Sequence, residues 1–376
     1  MFAEYYWDPF HKNFYHRQYS QSKSYVGIAI GLLYDDGLVD LDKPISEYFP
    51  DKIDGDIPDY LGRQTVREML TMTTAGGQVG RFASDDPDRT HLYLNCVKPE
   101  KCHPAGTLWA YDSAGSQVLS SPVERISGKS LFDFLNERIF THLGQFKNAT
   151  VLKTRSGDSR GDSAMICTMR DNSAFARLLM KGGRWEGKQL ISEEYVRLAT
   201  SKQVDNREIA HAACFRHGYG YQIWRCEDGG FAFVGMGNQL AICIPRLDLL
   251  LVCQADTQGY DPSRELIVGN FFDMVERFIT DDPLPEDPEG AAMLAEETAD
   301  LKLLAVQGEE DSPLREYIDG KEYLCKENPM GITRFCFKFK DRTCGELRYT
   351  NAQGDKILPF GVNHNVFGNF PQLGYS

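Results

Sequence analysis

The sequence predicts an α+β fold: an antiparallel sheet flanked by helices, a mostly helical region, and a small C-terminal β segment. Three observations carry this. Helical periodicity dominates the first two hundred residues. From Gly218 the pattern changes to short apolar runs of strand length. After an acidic stretch, alternation with a period of two returns near the C-terminus. With 376 residues the chain is long enough for one large domain and an extra one.

Taken in order, SYVGIAIGLLYDDG from Ser24 places apolar residues nearly all round a helix, so this helix is expected to be buried. Gly37 is its expected stop. LVDLDKPISEYFP follows as a loop, and TVREMLTMTTAGG reads as a short helix ended by Gly76-Gly77. Gly115 to Leu143 holds a helical pair broken at SGKS. Asp171 to Met180 is amphipathic and ends at Gly182-Gly183. Ser192 is the expected N-cap of a helix reaching Ala199. Gly218–Arg225, Phe231–Val234, Gln239–Ile244 and Leu249–Ala255 read as strands. A turn at Pro245 to Asp248 joins the last two, whose nearly all-apolar character predicts the centre of a covered sheet. Leu266 to Ile279 closes this domain as a helix.

These elements set the expected boundaries: a domain over 1–280, an acidic linker over 281–313 with a short helix in it, and a small β domain over 314–376. In the last, Phe335, Phe337 and Phe339 fall on one face of a strand opposite Arg334 and Lys338, and NAQG reads as a turn.

Net charge is −13, but Thr280 to Ser312 alone holds eleven acidic residues against one lysine. The acidity therefore describes a segment and not a binding face, and no basic nucleic-acid footprint exists. No run of apolar residues is long enough to span a membrane. Ten cysteines without any C-x-x-C pattern read as small buried thiols of a reducing, cytoplasmic compartment. Zinc-ligand spacing is absent, and no metal or cofactor is expected.

Three local patterns bear on chemistry. Ser20 and Lys23 form an S-x-x-K at the expected start of the buried helix, and residues at i and i+3 share a face. A desolvated Lys beside a Ser hydroxyl suits nucleophilic catalysis, while an N-cap Ser followed by a solvated Lys is the plainer reading. Tyr111 in HPAGTLWAYDSAG is either a proton carrier or an ordinary loop residue. The turn in FVGMGNQL is either half of an oxyanion hole, with the backbone N–H of Ser20 as the other half, or a tight β-turn. Arg160-Gly161-Asp162 and the sequon at Asn148 read as chance matches. Asp35 to Asp42 lacks calcium-loop spacing. His103 and His217 read as structural or rim residues.

Taken together, YSQSKSYVGIAIGLLYDDG, TVREMLTMTTAGG, HPAGTLWAYDSAGSQVL, GYGYQIW and GMGNQLAICIPRLDLLLV resemble, in the same order, the β-lactamase-related serine hydrolases. That group joins class C β-lactamases, D-Ala-D-Ala peptidases and carboxylesterases, and the resemblance spans about Tyr19 to Ala255. It implies a β-lactamase/transpeptidase-like fold, with Ser20 as acylated nucleophile, Lys23 as its base and Tyr111 as second proton carrier. Ser113 stands where the family has Asn. Met236-Gly237-Asn238 stands where it has Lys or His, any residue, then Gly. Gln239 would donate the second oxyanion N–H.

Met236 removes the cation that meets a substrate carboxylate, which points toward a neutral ester, amide or peptide-like small molecule. The second function class implied is a catalytically weak, penicillin-binding-like protein that holds a peptide-like ligand or partner. Only nineteen residues precede Ser20, where the family has strands and a helix. FAEYYWDPF is expected to supply part of one strand, and both ends of the chain are expected to be shortened.

Overall fold

The computed structural model describes residues 3–76, 88–96, 101–208, 210, 212–260, 262–280, 282, 285–368 and 370–371. Gly77 of the expected helix stop and Asp281 of the linker lie outside them. Contacts divide the chain into two compact units, Asn13–Pro283 and, together, Met1–Lys12 with Leu284–Ser376.

In the larger unit, strand β1 (His16–Arg17) leads through a 3-10 turn, Tyr19–Gln21, into helix α1 (Ser22–Asp35). Every residue of α1 from Ser22 to Leu33 is buried, as its all-round apolar pattern requires. Helix α2 (Val66–Leu70) begins on a capping box between Thr65 and Glu68. It stops at Thr71, earlier than the glycine pair suggested. Helix α3 (Ser113–Ser127) ends at Gly128 in the left-handed conformation, and helical structure resumes from Leu131 to Leu143. Strands β2 (Thr150–Val151) and β3 (Met165–Cys167) follow, in the sheet order β1-β3-β2.

Helix α4 (Met169–Met180) is capped by Thr168. Helix α5 (Glu193–Thr200) is capped by Ser192, whose side chain accepts from the Tyr195 N–H. The main sheet is four antiparallel strands in sequence order: β4 (Trp224–Arg225), β5 (Phe231–Gly235), β6 (Gln239–Ile244) and β7 (Leu249–Cys253). Helix α6 (Ser263–Phe278) closes the unit, beginning three residues before the sequence suggested.

The alternation along β5, β6 and β7 explains their unbroken apolar runs. Phe231, Phe233, Ala241 and Cys243 enter one core, with Phe175 and Ala176 of α4. Ala232, Val234, Leu240 and Ile242 enter another, with Val268, Phe272 and Val275 of α6. Both faces are covered by helices, so both are apolar. The expectation of a central pair holds for β6 alone. Among the described residues β7 is the sheet's edge and only half-buried.

In the smaller unit the described residues of the N-terminal segment pair with a later part of the same unit. Asp8 forms a parallel bridge with Lys302. Helix α7 (Pro288–Glu297) sits in the acidic stretch. Strands β8 (Tyr323–Leu324), β9 (Arg334–Phe339), β10 (Cys344–Asn351) and β11 (Gly354–Gly361) form an antiparallel sheet in that order. Phe335, Phe337 and Phe339 contact one another along one face of β9, as their spacing predicts.

Candidate active site

The segment entering α1 is pinned from three sides. Gln18 donates its backbone N–H to Met165 O at 2.7 Å and its side-chain amide to Cys167 O at 3.2 Å, fastening it to β3. The Ser22 hydroxyl accepts from the Met165 N–H. On the opposite side, a Cβ placed on Gly235 would come within 2.3 Å of Gln18 O, so only glycine lets the end of β5 lie against this backbone. Tyr19, one residue before Ser20, has φ +47°, a conformation that costs a non-glycine residue and persists where its surroundings impose it.

Ser20 therefore sits in the tight turn before the helix and not within its first turn. Lys23 follows on α1 and is 1% exposed. Its Nζ lies 2.9 Å from Ser20 Oγ and 2.6 Å from the carbonyl oxygen of Asp162. The same nitrogen stands 5.2 Å from the centre of the Tyr111 ring. Thus residues from three segments far apart in sequence meet at one point. Asp162 belongs to the Arg-Gly-Asp triple that reads as chance in the sequence. Its backbone, not its side chain, makes the contact, and backbone roles leave no residue signature.

Tyr111 precedes Asp112, the N-cap of α3. The buried Asp112 carboxylate accepts from the Gly115 N–H at 3.0 Å, Thr74 Oγ1 at 2.9 Å and Tyr93 OH at 3.3 Å. The Tyr111 ring stacks on Trp224, centroids 5.5 Å apart. Gln222 from GYGYQIW ties the surrounding helices together. Its carbonyl accepts from Ser24 Oγ of α1, its side-chain oxygen from Ser116 Oγ of α3, and its amide donates to Met69 O and Leu70 O of α2.

Ser20 and Tyr111 border a cavity of about 450 Å³. Its walls include Trp109, Trp224 and Phe215, with Val234, Gly235 and Met236 along the strand and Arg264 from the first turn of α6. Of the strand-turn residues singled out in the sequence, Met236 borders the cavity and is 49% exposed. Gly237 and Asn238 carry φ +76° and +65° and reverse the chain between β5 and β6. The Asn238 side chain turns away from the cavity, donating to Thr257 Oγ1 and Ser263 Oγ. Gln239 is buried and pairs with Gly235 across the hairpin, its side-chain amide donating to Met236 O and Ala255 O. Ser113 is buried at the start of α3 and does not border the cavity.

The aromatic wall and Arg264 were not singled out in the sequence. Trp109 and Trp224 lie inside the segments that carry the resemblance and were legible there as large side chains beside Tyr111. Arg264 had no motif to mark it. Among the described residues no group of three or more His, Cys, Asp or Glu could hold a metal ion, and no helix is long and apolar enough to cross a membrane.

A family model described as Beta-lactamase matches residues 4–267. Among curated proteins, the chain is 26% identical over 274 residues to a 6-aminohexanoate-dimer hydrolase of Paenarthrobacter ureafaciens, spanning 66% of this chain and 68% of that one. Among solved structures, it is similar to a Bacillus anthracis protein provisionally assigned as a 6-aminohexanoate-dimer hydrolase, with a TM-score of 0.60 and 20% identity over 73% of this chain and 76% of that one. It is also similar to a penicillin-binding protein homolog from Caulobacter crescentus, with a TM-score of 0.56 and 16% identity over 70% of this chain and 85% of that one. These structural likenesses establish a β-lactamase/transpeptidase-like fold.

Proposed function

The chain belongs to the beta-lactamase family and is a hydrolase, and from that premise we propose that it cleaves an ester or amide bond through a covalent acyl-enzyme on Ser20. The observation that carries this is the 2.9 Å separation of Lys23 Nζ and Ser20 Oγ. That is hydrogen-bond range for a base and the proton it removes. Asp162 O takes one Lys23 N–H and so orients the nitrogen's lone pair when the amine is neutral.

In the proposed reaction Ser20 Oγ attacks the carbonyl carbon while its proton passes to Lys23. The oxyanion is held by backbone N–H groups of Ser20 and Gln239 at the hairpin. Tyr111 donates a proton to the leaving alkoxide or amine as the scissile bond breaks. Water, deprotonated by Tyr111, then attacks the acyl carbon, and Ser20 leaves with its proton restored. The aromatic wall of Trp109, Trp224 and Phe215 suits an acyl chain or other apolar group. The curated relative is named for an aminohexanoate dimer, so short linear amides and esters come first among substrates.

Intact-mass spectrometry after incubation with a fluorophosphonate tests the reading. Ser20 Oγ attacks phosphorus and fluoride leaves, giving one adduct. A single adduct on the wild type and none on Ser20→Ala is expected. No adduct on folded wild-type protein would overturn the proposal.

A further inference from the structure

The cysteines read from the sequence as buried thiols include an exception in the smaller unit. Cys344, the first residue of β10, is only half-buried. Across the sheet it pairs with Gly361, the last residue of β11. Beyond Gly361 the chain folds back, and the ring of His364 lies over that glycine. A Cβ on Gly361 would come within 2.4 Å of His364 O and 2.8 Å of His364 Nε2, so any side chain opposite Cys344 would displace the imidazole. The notch left by this glycine brings His364 Nε2 to 3.7 Å from Cys344 Sγ, a hydrogen bond to sulfur.

Further contacts fix the pair. His364 Nδ1 lies 3.0 Å from Val362 O. A carbonyl oxygen only accepts, so in the neutral ring the proton sits on Nδ1 and Nε2 presents its lone pair. The thiol is then the donor to His364. The Asp341 carboxylate accepts from the N–H of Thr343 at 2.7 Å and of Cys344 at 2.8 Å, which holds the turn entering β10. The Thr343 hydroxyl, 2.9 Å from the same carboxylate, stands 3.8 Å from Cys344 Sγ. His364 is exposed, so small reagents reach the pair from solvent.

We propose that Cys344 is a modification site, a thiol activated by His364 that forms a mixed disulfide with a low-molecular-weight disulfide. The thiolate is the nucleophile, and an unassisted thiol is only a few per cent ionised at neutral pH. An imidazole held at the sulfur in the accepting tautomer supplies the missing base. In the exchange the Cys344 proton passes to His364 Nε2 and the sulfur attacks one sulfur of the disulfide. The S–S bond of the reagent breaks, and its departing thiolate takes the proton from the imidazolium. One disulfide is consumed, and one mixed disulfide and one small thiol are formed. The pair lies within the smaller unit and shares no residue with the cavity beside Ser20, so the proposal stands whether or not Ser20 is acylated.

The test incubates the full chain at pH 7 with hydroxyethyl disulfide, a neutral probe, and maps acid-quenched samples by peptide mass. Cys344 is expected to be modified about tenfold faster than Cys325, a half-buried thiol of the same unit, within the range left by the small thiolate fraction of an unassisted cysteine. His364→Gln is expected to slow Cys344 by about tenfold at pH 7 and by much less at about pH 9.5, where the thiol ionises unaided. A merely structural role of His364 would slow both alike. Gly361→Ala keeps both groups and moves the ring, and the same slowing is expected. Circular dichroism establishes that each variant is folded. Cys344 no faster than Cys325 in the wild type, a rate unaltered in either variant, or an equal loss at both pH values in His364→Gln overturns the proposal.

Discussion

Lys23 Nζ lies 2.6 Å from the carbonyl oxygen of Asp162, a contact made across 139 residues of sequence. The approach depends on the residue before Asp162. A Cβ on Gly161 would come within 2.6 Å of Val26 Cγ2 on α1 and 2.7 Å of Ser120 Cβ on α3. Only glycine lets this loop lie in the groove between the two helices.

Gly161→Ala is therefore expected to push the loop outward. Overpacking of this kind costs about 1–3 kcal/mol. It also withdraws the Asp162 oxygen from Lys23, so kcat should fall by more than the loss of folded protein explains. Chemical denaturation and active-site titration on the same sample separate the two. A stable variant with unaltered kcat would refute the dependence on close approach.

Lys23→Met keeps the length of the side chain and removes the proposed base. Loss of a positioned general base costs about 10²–10⁴ in rate. The fluorophosphonate adduct should form correspondingly slowly, while the far-ultraviolet dichroism stays that of the wild type. Labelling at the wild-type rate would remove Lys23 from the mechanism.

The contrast between these positions shows what the sequence could reveal. Lys23 was legible because the S-x-x-K spacing brings two side chains together on one side of a helical turn, although Ser20 lies in the 3-10 turn before α1. The helix itself was legible because residues Tyr25 to Leu33 leave no polar side to expose. The sheet was legible because β5 to β7 are apolar on both faces, although that same feature hid the edge position of β7. Asp162 was hidden because its role belongs to a backbone oxygen. Arg264 was hidden because the cavity is assembled by the return of α6 to the end of β5, a long-range closure with no local pattern. Ser113 and Asn238 occupy motif positions, yet the fold turns one inward and the other toward α6.

Tyr111 is held by its neighbour. Asp112 caps α3 and accepts from Thr74 and Tyr93 as well. Asp112→Ala removes the cap and strands two buried donors, a loss of about 2–3 kcal/mol. Tyr111 should then lose its fixed position beside Lys23, raising KM and lowering kcat together. Tyr111→Phe keeps the stack on Trp224 and should lower kcat with little change in melting temperature. Equal effects of the two variants on stability would contradict this division of roles.

The approach to Ser20 also carries a pH dependence. His16 pairs with Cys167 across β1 and β3, and burial lowers its pKa below the ordinary 6.5. The unfolded chain therefore binds this proton more readily than the folded one. The resulting stability is complete above about pH 6.5 and is lost as pH falls from there toward the lower folded value. Protonation places a charge on the strand that fixes Gln18, two residues before the Ser20 turn, so acid should loosen the site before the rest of the unit. His16→Gln removes the titration. Denaturation midpoints at pH 7.5 and pH 5.5 should lie closer together in the variant than in the wild type, and the acid limb of the rate profile should shift to lower pH. An unchanged gap between the two midpoints would show that His16 does not carry the acid sensitivity of this strand.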